Sequence, residues 1–265
     1  MLQVTDPTVF EEEADAMFAK LRRRYIKKCG TCSGTGQVLG SLEYEDEDDL
    51  VGTCKTKFCD CKEMVLFRLA LFEAGVPKEF WEADTISPEY NRDKFTFLHK
   101  YANKINTSVR KDGLSLLMSG ENGVGKTSSS AIAIIGAIEQ GMKTAIFNWP
   151  DLVSCYRSHR FDAKFLKRLD QRLKRPFVVF DEIGKESALN GADTLAQQLL
   201  DSTLRLRRTN SLPTIVITNM TVADFVKRYG ASIKSLVQTY RVLEYAPGDF
   251  RATMRSKWAA FDGEE

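Results

Sequence analysis

Between Gly120 and Thr127 the chain reads GENGVGKT, which satisfies G-x-x-x-x-G-K-[ST] at every fixed position. These residue types suit one chemistry, the cradling of phosphate groups. Gly120, Gly123 and Gly125 let backbone N–H groups wrap an anion where a Cβ would clash, and a helix beginning at the loop's end points its positive pole at the same place. Glu121, Asn122, Val124 and Ser128 complete the nucleotide-contacting stretch. Lys126 is expected to reach the β- and γ-phosphates of ATP, and the Thr127 hydroxyl to ligate Mg²⁺. A second stretch, FVVFDE from Phe177 to Glu182, buries four apolar residues and ends in two carboxylates. Asp181 suits the Mg²⁺ shell and Glu182 a general base that polarises the attacking water. A DE pair alone can merely solvate a strand end. Here Asp181 lies 55 positions after Lys126, with one further strand between them, a spacing unlike that of small-molecule P-loop kinases. TIVITN, Thr214 to Asn219, is a third apolar run ending in a polar amide. Asn219 either orients the water or contacts the γ-phosphate, against the plainer role of turn former.

These residues need a scaffold that brings their strand ends together. From Leu114 onward short apolar runs (LSLLMSG, TAIFNW, FVVFDE, TIVITN, RVLEY) alternate with helical patterns, which predicts an α/β fold with a parallel sheet covered by helices on both faces. The 265 residues, 43% hydrophobic and 28% charged, allow one ordinary domain and a small accessory one. A net charge of +2 names no partner, so any nucleic-acid surface must be local. The acidic N-terminus, MLQVTDPTVFEEEADAMF, does not read as a signal peptide, and the apolar run AIAIIGAI is too short for a bilayer. The expectation is a cytoplasmic protein without membrane association.

Five of the six cysteines lie between positions 29 and 61: Cys29, Cys32, Cys54, Cys59 and Cys61. In a reducing compartment such clustering more often holds a metal than a disulfide, and a structural zinc site needs four ligands. Cys29 and Cys32 form one half, with Gly34 and Gly36 allowing a tight knuckle; buried free thiols are the alternative. His99 and His159 lie outside the module, and Cys155 reads as core. Residues 8 to 28 show apolar Ala14, Phe18, Leu21 and Tyr25 at helical spacing, and Met64 to Ala74 is an apolar helix stopped by Gly75 and Pro77. This places a boundary between a zinc-binding domain at 1–75 and an ATPase domain at 76–265.

Together these motifs resemble the AAA+ ATPases, and more narrowly the replicative-helicase loaders of the DnaC/DnaI type, with IstB-type transposition helpers as relatives. The resemblance extends from GVPKEFWEADT (Gly75 to Thr85) through GENGVGKT, FVVFDEIG and VITNM to GDFR (Gly248 to Arg251). It implies ATP hydrolysis with Mg²⁺, a homo-oligomeric ring or helical assembly, single-stranded DNA in its channel and a hexameric replicative helicase as client. It also matches Cys59 and Cys61 to the second half of a zinc site, with Cys54 in reserve. The family's arginine finger is expected in GASIKSLVQTYR (Gly230 to Arg241), where no mid-helix arginine stands; Lys234 and Arg241 are the nearest cations. A transposition helper, or a nucleotide-gated adaptor with little turnover, remains the alternative. Residues 1–75 are expected to dock the client. For DNA, RSHRFDAKFLKRLDQRLKR (Arg157 to Arg175) offers eight Lys or Arg against two Asp, with Tyr156 and Phe161 for stacking and RLRR at Arg205 to Arg208 as an extension. A solvated helix face is the competing reading.

Overall fold

The computed structural model describes residues 7–43, 53–81, 91–186 and 194–248. The chain divides into two compact units, Asp6–Glu73 and the part from Ala74 onward. Within the first, α1 (Pro7–Leu21) runs into a π-helical turn at Arg22–Ile26, followed by an antiparallel hairpin of β1 (Gln37–Glu43) and β2 (Thr53–Phe58) and then α2 (Asp60–Ala74). Leu21, Ile26 and Val65 are buried with Cys32, Cys59 and Cys61 in a small core of their own. The helices fall where their apolar spacing places them. The hairpin was not legible, because β1 and β2 carry few apolar residues.

The second unit is a five-stranded parallel sheet: β3 (Leu116–Ser119), β4 (Thr144–Asn148), β5 (Phe177–Ile183), β6 (Thr214–Thr218) and β7 (Arg241–Glu244). The strand order is β4-β5-β6-β3-β7, and all five predicted runs are strands. Such strands are buried on both faces, which explains their unbroken apolar sequences. On one face Leu117, Phe147, Phe180 and Val216 pack against α6 (Trp149–His159), α7 (Ala163–Leu173), α8 (Thr194–Thr209) and α9 (Val222–Val237). Elsewhere α3 (Arg92–Asn103), the single turn α4 (Arg110–Asp112) and α5 (Lys126–Glu139) complete the unit. Tyr101 of α3 meets the Phe177 ring at 6.4 Å, and α3 crosses α5 at Gly136, where a Cβ would stand 2.7 Å from that of Ala102. No described helix is long and apolar enough to cross a membrane.

Candidate functional site

In parallel strands the carboxyl ends all open on one side, and here β3, β6 and β5 are neighbours. The phosphate loop leaves β3, Asn219 follows β6, and Asp181 and Glu182 close β5. Gly120, Gly123 and Gly125 all have positive φ (150°, 84° and 87°). At Gly120 a Cβ would lie 3.0 Å from the Tyr245 backbone oxygen, so glycine is required there. Glu121 and Asn122 are exposed at the loop's tip, Val124 is buried, and Ser128 is buried with its hydroxyl donating to Gly125 O.

Lys126 is 6% exposed and its ammonium donates to Gly120 O (2.7 Å), Glu121 O (2.6 Å) and Asn219 Oδ1 (2.8 Å). Burial lowers its pKa to about 8, with the Asp181 carboxylate acting in the opposite direction. Thr127 Oγ1 donates to Asp181 Oδ2 at 2.7 Å, and the Glu182 N–H donates to Asp181 Oδ1 at 2.7 Å. Burial raises the pKa of Asp181. A buried cation beside a buried carboxylate and hydroxyl, in a cradle of glycines, is a donor set that fits a nucleotide with its Mg²⁺. Lys126, Thr127, Asp181 and Asn219 are therefore gathered as the spacing suggested.

Glu182 departs from an ordinary strand residue. Its φ is +60°, and the register of β5 against β6 shifts between Phe180 and Ile183. This bulge turns the carboxylate away from the regular pleat. Glu182 Oε2 accepts from Asn148 Nδ2 at 2.9 Å and Oε1 pairs with Lys185 Nζ at 2.6 Å. Asn148 also caps α6, its Oδ1 accepting from Asp151 N at 3.2 Å. Neither Asn148 nor Lys185 was expected. The signal for Asn148 was present, since TAIFN ends in a polar amide as TIVITN does.

Two further groups close the neighbourhood. Phe95 stands 3.6 Å from the Cβ position of Gly125, and Ser129 Oγ meets Tyr245 OH at 2.6 Å. Glu186, 5% exposed, pairs with Arg228 at 3.1 Å and accepts from Tyr229 OH, joining the segment after β5 to α9.

The four sulfurs of Cys29, Cys32, Cys59 and Cys61 lie within 4.8 Å of one another. Cys29–Cys59 is 3.8 Å and Cys32–Cys61 is 3.5 Å. Tetrahedral Zn–S bonds of ~2.3 Å require sulfurs ~3.8 Å apart, so the set fits zinc. Gly36 N–H donates to Cys32 Sγ at 3.2 Å, as a knuckle requires. The Cys32 backbone N–H lowers the Cys29 thiol to about 6, while burial and the neighbouring sulfurs push Cys61 up. Four thiols this close cannot all ionise without a cation among them. Cys54 sits in β2, and its side chain lies outside the described residues.

The basic run divides between α6, α7 and their junction. Arg157, Arg160, Lys164, Lys167 and Lys174 are exposed, while Phe165, Leu169 and Leu173 bury the opposite stripe of α7. Phe161 is 88% exposed under the Arg160 guanidinium, whereas Tyr156 packs against the core. In the RLRR extension one residue cannot reach DNA. Arg207 is fully buried, donating to Thr214 Oγ1, Leu173 O, Arg175 O and Pro213 O. Arg205 holds Asp201 and Ser232.

Of the two finger candidates, Lys234 lies on α9. Arg241 starts β7, opposite Leu116, at the strand end away from the phosphate loop. Its guanidinium lies 4.1 Å over the Phe97 ring, beside a cavity of about 510 Å³ shared with Lys100, Tyr101 and Lys104. Within GVPKEFWEADT and GDFR, residues 82–85 and 249–251 lie outside the described residues.

No family model and no curated protein matches the sequence. Solved structures do. The crystal structure of the DnaC helicase loader is 22% identical, with a TM-score of 0.55 over 64% of this chain and 100% of that one. That of DnaI is 19% identical, with a TM-score of 0.53 over 66% and 94%. The replication initiator DnaA bound to AMPPCP and single-stranded DNA is 12% identical, with a TM-score of 0.56 over 72% and 57%. At these identities the likeness is one of fold, which this chain shares with the solved DnaC, DnaI and DnaA structures.

Proposed function

We propose that this protein is an ATPase that loads or remodels a replicative helicase on single-stranded DNA. The observation that carries the chemistry is the meeting of Lys126, Thr127, Asp181, Glu182 and Asn219 at three adjacent strand ends. Mg²⁺-ATP brings the reactive phosphoryl group. The chain's residues bind and orient it. Lys126 exchanges its two carbonyl partners for phosphate oxygens, whose charge opposes the burial that lowers its pKa. Thr127 and Asp181 hold the metal shell, and Asn219 positions the terminal phosphate beside Lys126. Glu182 takes the proton of the attacking water on a lone pair that Asn148 and Lys185, each bonded to one of its oxygens, leave available.

The client assignment rests on the loader-like fold, since the structural neighbours include a helicase loader that aligns over its whole length. Residues 1–75 form the docking part, and the exposed cations of α6 and α7 track DNA. An adaptor with little turnover is favoured by one observation, the absence of an arginine between Gly230 and Tyr240. Glu182→Gln separates the readings. It should leave ATP affinity within about threefold and cut DNA-stimulated turnover at least about a hundredfold. Wild-type protein that binds ATP and captures helicase yet shows no turnover with single-stranded DNA would favour the adaptor. Capture of a transposase instead of a helicase would replace the client.

A further inference from the structure

The cysteine-bearing unit carries a charge pattern that metal binding does not use. From Lys20 to Lys28 the chain reads KLRRRYIKK, and Lys20, Arg22, Arg23, Arg24, Lys27 and Lys28 are all exposed. Among the described residues none of the six makes an ion pair. The π-helical turn explains the arrangement. Leu21 and Ile26 are both buried although five positions apart, a spacing that a π turn places on one face. The three arginines between them are thereby turned outward together. Lys20 lies on α1, Arg22, Arg23 and Arg24 on the π turn, and Lys27 and Lys28 on the turn that follows it.

The knuckle packs next to this turn. A Cβ at Gly34 would meet Lys27 O at 3.4 Å, and one at Gly36 would meet Ile26 Cγ2 at 3.4 Å and Lys62 Cδ at 3.3 Å. The knuckle therefore packs against the backbone of Lys27, the buried Ile26 side chain and the stem of Lys62. Lys62 Nζ in turn stands 3.7 Å over the ring of Phe58, which is 45% exposed. Leu39 lies on the same hairpin face, because Leu39 pairs with Thr56 and Gln37 with Phe58, and it is 75% exposed. Cations without an ion-pair partner among the described residues, together with a half-exposed aromatic ring, supply the two elements of a single-strand site, a track for phosphates and a platform for a base.

We infer that this face of the cysteine-bearing unit, Lys20 to Lys28 with Lys62 and Phe58, binds single-stranded nucleic acid. It uses residues other than the cations of α6 and α7 and does not depend on the helicase-loader reading. The first turn of α2 carries two exposed carboxylates, Asp60 and Glu63, fewer than these cations. An acidic protein surface is the competing occupant, and it lacks a reason for the open ring.

The test uses the full-length, zinc-loaded protein without nucleotide and a fluorescein-labelled oligothymidylate, read by anisotropy across a salt series. The triple variant Arg22→Ser, Arg24→Ser, Lys27→Ser should lower the slope of log affinity against log salt by about 2, because each phosphate neutralised on a single strand contributes ~0.7. The charge-keeping triple Arg22→Lys, Arg24→Lys, Lys27→Arg should retain the slope. Phe58→Ala should weaken binding at least about fivefold with the slope unchanged. Should the triple variant lose metal, Arg22→Ser and Arg24→Ser are read singly, each expected to lower the slope by about 0.7. An unchanged slope in metal-replete variants overturns the proposal. Unchanged DNA binding with lost helicase capture overturns it too, and gives these cations to a protein partner. Either failure leaves the ATP-site reading intact.

Discussion

Replacing Arg207 by methionine tests whether this side chain is a clamp or a DNA contact. Arg207 is wholly buried, and its guanidinium meets three backbone carbonyls and a hydroxyl: Leu173 O at 2.5 Å, Arg175 O at 2.9 Å, Pro213 O at 2.9 Å and Thr214 Oγ1 at 2.7 Å. These acceptors lie where α7 enters β5 and where α8 enters β6, so one group aligns the two strands that lead to Asp181 and Asn219. Burial lowers its pKa to about 10, and it remains charged at neutral pH. Methionine preserves the aliphatic stem but leaves the three carbonyls without this donor, at about 1 kcal/mol each or more. Relief of the guanidinium's own desolvation offsets part of the loss, and Thr214 Oγ1 keeps its bond to Leu212 O. A net cost of about 3 kcal/mol corresponds, for a unit of this size, to a fall in Tm of roughly 6–12 °C. Thermal unfolding followed by circular dichroism measures it, with the exposed neighbour Arg208→Met as a control expected within about 0.5 kcal/mol of the wild type. A Tm within about 2 °C of the wild type, combined with a reduced salt dependence of DNA binding, would refute the clamp.

Asn148→Ala should lose both the α6 cap and the hold on Glu182, lowering stability by about 1 kcal/mol, whereas Asn148→Ser keeps a capping oxygen and should not. Both should change ATP turnover, and turnover equal to wild type in both would remove Asn148 from the site. ATP affinity should be constant below about pH 8 and fall about tenfold per unit above it, because the phosphates need the protonated form of Lys126. Calorimetric titration from pH 7 to 9.5 checks this, and a flat profile would show that the ammonium is not the main phosphate contact. Metal removal by a chelator should expose four further thiols to Ellman's reagent while ATP binding persists. Unchanged thiol counts would mean that the cluster holds no exchangeable metal.

The sheet was legible because its strands are buried on both faces, so five apolar runs stood out against polar connections. The phosphate loop and Asp181–Glu182 were legible because each motif occupies a strand end. The clamp at Arg207 was hidden by its charged neighbours in RLRR. Its position was nonetheless readable, since Ala196, Leu200 and Leu204 set a buried stripe on α8 that Arg207 continues by three residues. Asn148 and Lys185 escaped because their role depends on where the β5 bulge aims Glu182, and a bulge leaves no mark in hydrophobic spacing. The arginine turn falls inside residues 8 to 28, whose apolar spacing reads as one continuous helix. Only the π geometry, which puts Leu21 and Ile26 on one side, shows why its charges gather.

The placement of β3 also fixes a timetable for synthesis. This strand lies between β6 and β7, both made long after it, and the phosphate loop is further shaped by Tyr245, whose N–H bonds to Ser119 O at 2.8 Å. At roughly 5–20 residues per second, the ribosome needs on the order of ten seconds to travel from Thr127 to Tyr245. Throughout that interval the nascent loop lacks the strands and the tyrosine that shape it. The cysteine cluster, by contrast, has all four of its sulfurs by Cys61 and draws on neighbours close in sequence. The emerging chain can therefore gather its four sulfurs well before its glycine loop is shaped.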